Sequence, residues 1–134
     1  FRIRPNIRKY IDATIKKAHD EGYVETLFGR RRPTPDVKSS NFIVRSSAER
    51  AAANMPIQGT EADLMKMAML RVDERLDGMG EQLLQIHDSI LIECPRENAE
   101  RVSIMLVEAM EQIYPELGVA LQVDVHTGNN WGEV

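Results

Sequence analysis

The sequence predicts an α+β fold, with helices packed on one face of a small, mainly antiparallel sheet. Apolar residues recur at helical spacing in several stretches, and short alternating or apolar runs flank compact polar turns. The 134 residues are 43% apolar and 28% charged, close to the average for soluble globular proteins. That composition excludes disordered, collagen-like and disulfide-scaffold classes, and the length suffices for one domain's core.

Each element follows from local signals. Pro5 suits a first helical turn, and Ile7, Tyr10, Ile11, Thr14, Ile15 and Ala18 recur on one face before Gly22, a natural stop, so a helix is expected over residues 5–21. Its other face carries Arg8, Lys9, Lys16 and Lys17. Residues 23–27 alternate, and Gly29 followed by Arg30, Arg31 and Arg32, with Pro33 and Pro35 beyond, predicts a short, strongly basic β-hairpin. Ser39, Ser40 and Asn41 can cap a helix over residues 46–55, rich in Ala and Arg and interrupted at Pro56.

From Gln58, the series Glu61, Leu64/Met65, Ala68/Met69, Val72 and Leu76 marks a long amphipathic helix ending at Gly78 and Gly80. Thr60 and Asp63 stand at its start with a spacing close to the capping signature. Apolar strands over residues 82–86 and 90–94, separated by His87, Asp88 and Ser89, form an antiparallel hairpin with a polar tip. After Pro95, the residues Ala99, Val102, Met105/Leu106, Ala109 and Ile113 mark one face of a further helix. Leu121, Val123 and Val125 alternate with polar residues as a last strand. There is no internal repeat.

The net charge of −4 and pI near 5.4 argue against a protein that coats nucleic acid by bulk positive charge. That average hides an asymmetry. Residues 1–50 hold 12 basic and 6 acidic residues, a net of +6, whereas the remaining 5 basic and 15 acidic residues give −10. A basic front and an acidic back suit a protein that holds a polyanion with one region and metal cations with another, although uneven sorting of helix-surface charge gives the same pattern. The lone Cys94, in an apolar run, can form no internal disulfide and points to a reducing compartment. With no apolar stretch of bilayer-spanning length and no secretion signal, no membrane association and a cytoplasmic location are expected. The chain begins at Phe1 and opens directly into helix-like sequence, so it reads as cut from something longer.

Three clusters could carry chemistry. Asp88, held at the tip of an apolar hairpin, offers the oxygen ligand that a hard cation such as Mg²⁺ prefers; the plainer alternative is an ordinary turn aspartate. His87 beside it could donate a hydrogen bond to a substrate. Arg50, Asn54 and Gln58 recur at intervals of four and combine a planar cationic fork with paired amide donors and acceptors, the group types that reach into a duplex minor groove. A solvated polar stripe is the alternative there. Arg30 to Arg32 could clamp phosphates or merely solubilise a hairpin tip. No CxxC pair, HExxH, Walker loop or GxSxG is present.

Taken in order, GYVETLFGRRR (22–32), AERAAANMPIQGTEAD (48–63), LLQIHDSILIE (83–93) and GNNW (128–131) resemble the C-terminal end of the bacterial family A DNA polymerases. The resemblance covers essentially the whole chain. It implies a right-hand architecture, with residues 1–45 as the end of the fingers and residues 46–134 as much of the palm. It implies template-directed DNA synthesis, with primer-template DNA and deoxynucleoside triphosphates as partners. By the same resemblance Asp88 is one of two carboxylates that hold two Mg²⁺ ions, and His87 contacts the primer terminus. Arg50, Asn54 and Gln58 match minor-groove and template-primer contacts, and Arg32 matches a template-strand arginine.

Two departures bear on this expectation. Ser89 stands where the family usually has Glu, so it can exchange a hydrogen bond but supplies no negative charge. The second metal-binding Asp, the triphosphate-binding Lys and the template-stacking Tyr would lie before Phe1. One carboxylate can hardly fix two ions within ~4 Å of each other, so the 134 residues by themselves are expected to be inactive. The competing expectation, favoured by Ser89, is a non-catalytic duplex-binding module or degenerate polymerase relic.

Overall fold

The computed structural model describes residues 3–119 and 121–134. The chain divides into two compact units, Phe1–Asp63 and Leu64–Val134. The first contains helix α1 (Pro5–Glu21), strands β1 (Tyr23–Glu25) and β2 (Arg31–Pro33), a 3₁₀ turn (Pro35–Lys38) and the first part of helix α2 (Phe42–Leu76). The second contains the rest of α2, strands β3 (Glu81–Ile86) and β4 (Ser89–Glu93), and helix α3 (Ala99–Glu111) with flanking 3₁₀ turns. The α+β class holds, but among the described residues the strands form two separate two-stranded antiparallel sheets, β1–β2 and β3–β4, rather than one.

α1 begins with Pro5 in its first turn and ends at Gly22, whose φ of 80° lets its N–H return to the Ala18 carbonyl at 3.1 Å. Its Ala18 packs with Val24 of β1, Val37 of the 3₁₀ turn and Ala52 of α2 to make the first core, flanked by Ala48 and Met55. Asn41 caps α2: its Oδ1 accepts from the N–H of Ile43 at 2.9 Å and of Val44 at 3.4 Å.

The expected interruption at Pro56 does not occur. α2 runs unbroken for 35 residues with Pro56 inside it, although an interior proline removes one helical hydrogen bond and costs about 3 kcal/mol in an unsupported helix. Support comes from both sides. Ala48, Ala52 and Met55 are held in the first core before the proline, and Thr60 and Asp63 are tied to the β1–β2 turn after it. Thr60 and Asp63 therefore lie within the helix, not at a helix start.

In the second unit, Val72 and Leu76 of α2 pack with Val102, Met105 and Ala109 of α3, joined by Ile90, Ile92 and Cys94 from the β-hairpin side. This is the predicted face of α3, shortened because residues 96–98 form a 3₁₀ turn and α3 ends at Glu111. Leu121, Val123 and Val125 remain half-buried between exposed Gln122 and Asp124, so the predicted alternation survives. The strand itself does not form. Among the described residues these positions have no ladder partner, and the N–H of Val123 donates instead to the Glu111 carboxylate at 3.0 Å. No described helix is long and apolar enough to cross a membrane.

Candidate nucleic-acid interface

The β1–β2 hairpin is fastened to α2 through its turn. Thr26, buried at the end of β1, donates from Oγ1 to Asp63 Oδ2 at 2.8 Å, and the same oxygen accepts the N–H groups of Phe28 and Arg30 at 3.2 Å each. Arg30 Nε donates to the other Asp63 oxygen at 2.7 Å, and the N–H of Leu27 donates to Thr60 Oγ1 at 3.0 Å. Thr60 in turn donates to the carbonyl of Pro56. Gly59 permits this approach: a Cβ there would stand 2.6 Å from the Thr26 methyl.

This fastening sorts the arginine triplet. In register, Glu25 faces Arg31 and Val24 faces Arg32, and directly paired residues point to the same side of a sheet. Arg31 lies with Tyr23 and Glu25. Its guanidinium stands 4.3 Å from the Tyr23 ring centroid, with Lys17 Nζ 5.2 Å from that centroid. Lys17 also donates to Glu25 Oε1 at 2.8 Å. The hydrogen bond from Lys17, reinforced by the charges of Lys17 and Arg31, holds the Glu25 carboxyl below its usual range, and the Lys17 ammonium is raised by the same contact with Glu25. Arg32 lies on the Val24 side, next to α2, in a shallow cleft of about 250 Å³ that also takes in Thr34, Ser47 and Ala51. Among the described residues its guanidinium makes no ion pair or side-chain hydrogen bond, whereas Arg30 and Arg31 each have Nε engaged by a carboxylate.

Because α2 is continuous, Arg50, Asn54 and Gln58 rise along one exposed side of it, about 6 Å apart along the axis and within an arc of roughly 80°. All three are exposed and, among the described residues, none of their side chains is engaged by another side chain. The first unit thus brings together a free arginine on the hairpin and a cation-plus-amide stripe on the helix. Such a set can meet backbone phosphates and groove-edge acceptors without first breaking internal bonds.

Asp88 and His87 belong to the second unit. Ile86 pairs with Ser89, which leaves His87 and Asp88 as a two-residue turn, with His87 at φ 52° in the left-handed region. The turn is braced by Gln85 Nε2 donating to the His87 carbonyl and by Ser89 Oγ donating to the Ile86 carbonyl at 2.9 Å. Both tip side chains are exposed and unengaged among the described residues. The Asp88 carboxylate suits a hard cation as one ligand, but among the described residues no three His, Cys, Asp or Glu side chains gather into a cation site. β3 beside it leaves Leu83, Leu84 and Ile86 partly open to solvent.

Thr26, Gly59 and Asp63 are positioning groups that stand outside the sequence-based candidates. The available signal was the i, i+3 relation of Thr60 and Asp63, which puts both on one face of a helix, coupled with a helical Gly one residue before. Read as a cap, that spacing concealed a docking site.

The chain matches the model of the DNA polymerase A family over residues 1–133. It is 48% identical over 132 residues to the thermostable DNA polymerase I of Thermus aquaticus, covering 98% of this chain and 16% of that protein. It is equally identical over 132 residues to DNA polymerase I of Deinococcus radiodurans, covering 14% of it. A solved structure, the POL domain of Pol1 from M. smegmatis in complex with DNA primer-template and dNTP, superposes with a TM-score of 0.75 at 40% identity, over 81% of this chain and 20% of that one. The chain thus spans about a sixth of the length of the Thermus relative, and across that span it belongs to the family A DNA polymerases.

Proposed function

We propose that this chain grips primer-template DNA and supplies one metal-binding carboxylate within a template-directed DNA polymerase. Residues 1–45 serve as the end of the fingers and residues 46–134 as the palm. The observation that carries the reading is the unengaged set of Arg32, Arg50, Asn54 and Gln58 in the first unit, beside a hairpin turn whose Thr26 and Arg30 are tied to Asp63. Arg32 contacts the template-strand backbone, while Arg50, Asn54 and Gln58 read the minor-groove edge of the primer-template duplex, where the amides can donate and accept. The Pol1 relative, solved with primer-template and dNTP, supports this partner class.

His87 and Asp88 act at the primer terminus. The braced two-residue turn presents an exposed Asp88 carboxylate, as one ligand of a metal site completed by a second carboxylate from outside these 134 residues. Two Mg²⁺ ions, when bound, would activate the primer 3′-hydroxyl and balance charge on the departing pyrophosphate. His87 donates a hydrogen bond toward the primer end and orients it. Alone, the 134 residues lack the second carboxylate and are inactive.

Primer extension with Mg²⁺ and four deoxynucleotides tests this. The chain alone should incorporate nothing. In the polymerase that contains it, Asp88→Ala should lower incorporation by roughly three orders of magnitude, the scale of several kcal/mol of lost charge stabilisation, with primer-template affinity nearly unchanged. Normal incorporation by that variant would remove Asp88 from the metal site. The second reading, a non-catalytic duplex-binding module, draws on Ser89, whose hydroxyl closes the turn and brings no charge. It requires the intact protein to bind duplex DNA without extending it.

A further inference from the structure

We propose that Asp63 is a positioning residue that acts on nucleic acid through Arg32; this rests on the reading of Arg32 as a backbone contact. The hairpin alternates with a period of two, so a slip of one residue between β1 and β2 would turn Arg31 toward α2 and Arg32 toward Tyr23. Each strand has only three residues, too few to define the register by strand pairing alone. What defines it is the turn. Thr26 O accepts from Gly29 N at 3.0 Å, Thr26 N donates to Arg30 O at 2.9 Å, and Thr26 Oγ1 gathers the Phe28 and Arg30 N–H groups.

Asp63 fixes that turn from α2. One carboxylate oxygen holds the Thr26 hydroxyl and the other holds Arg30, so both ends of the turn are tied to the helix that bears Arg50, Asn54 and Gln58. The carboxylate is almost fully buried while the Arg30 side chain is half exposed. Arg30 thus neutralises Asp63, and its Nε is committed to that carboxylate. The clamp selects which arginine of the triplet faces the duplex side.

The test uses the polymerase that contains this chain, in the variants Asp63→Asn, Arg30→Gln, Arg32→Ala and the Asp63→Asn/Arg32→Ala double. Primer-template dissociation constants are measured across a range of salt concentrations, and thermal unfolding is followed in parallel. Asp63→Asn should weaken binding about tenfold, as expected for the loss of a charge-assisted contact, and lower the salt slope by about 1, as for one lost phosphate contact. Arg30→Gln should act in the same direction, and the double variant should bind no worse than Arg32→Ala alone. A wild-type slope for Asp63→Asn, or additive losses in the double variant, would overturn the clamp. If Asp63→Asn unfolds, Thr26→Val decides on the same criterion, because it breaks the other tie to Asp63 and changes no charge. A wild-type slope for Arg32→Ala would instead remove Arg32 from the interface, a failure of the underlying reading that these measurements separate from failure of the clamp.

Discussion

Thr26 and Asp63, 37 positions apart, share a buried hydrogen bond of 2.8 Å that joins the first β-turn to the long helix. Replacing Thr26 by Val keeps the shape but removes the donor to Asp63 and the acceptor for two backbone N–H groups. Unfolding of the chain in urea should show a loss of about 1–3 kcal/mol, the cost of leaving buried polar groups short of a partner. Thr26→Ser, which keeps the hydroxyl, should lose less than half of that.

Gly59 makes an opposite prediction from the one helix propensity gives. Ala in place of Gly normally stabilises a helix by about 1 kcal/mol. Here the added Cβ would meet the Thr26 methyl at 2.6 Å, and Thr26 cannot turn aside without breaking its hydrogen bonds. Gly59→Ala should therefore destabilise by about 1–3 kcal/mol, the range for overpacking. Combining it with Thr26→Ser removes the obstructing methyl, so the double variant should recover most of the loss in the same urea series.

The Lys17–Glu25 pair gives the first unit an acid limb. Glu25 titrates below 4.5 in the folded chain, so its contribution is complete above that value and is lost as pH falls through the lowered folded value. Lys17 titrates above 10.5, so its share is complete below that pH and is lost only as pH rises past the raised value. Thermal unfolding between pH 2 and 7 should fall less steeply for Glu25→Gln than for the wild type (roughly, by the one carboxylate's share). Identical slopes would show that the pair does not contribute.

Along α2, Arg50 and Gln58 should respond differently to substitution in the polymerase that contains them. Arg50→Ala removes a cation and should lower the salt slope of primer-template binding by about 1. Gln58→Ala removes only amide donors and acceptors and should weaken binding at every salt concentration by a similar factor, about fivefold. Equal salt slopes for the two variants would contradict their assignment.

Much of this fold was readable because its signals are local. Pro5 and Gly22 bound α1, Asn41 caps α2, and the His87–Asp88 turn falls between two apolar strands. Pro56 stays inside the helix against expectation because proline's effect on a helix is a local rule, whereas the anchoring of Thr60 and Asp63 joins residues more than 30 positions apart and Ala52 packs in a core that reaches back to Ala18. The last strand failed for a related reason: Leu121, Val123 and Val125 carry the right alternation, but a strand needs a partner edge that no local pattern provides. In the site, residue types marked Arg32, Arg50, Asn54, Gln58, His87 and Asp88 as candidates. Which arginine of the triplet stands free was settled only by strand register and by Asp63.

Three adjacent arginines that look equivalent therefore differ in their tolerance of lysine. At position 31 a lysine would still set a cation over the Tyr23 ring and answer Glu25. At position 30 a lysine would have to reach a buried carboxylate with a flexible, strongly hydrated ammonium in place of a planar Nε–H. At position 32 it would keep the charge but lose the fork that can bridge two phosphate oxygens. Scanning the triplet one lysine at a time would separate packing, anchoring and ligand contact, which deletion of the whole basic tip would merge into a single loss.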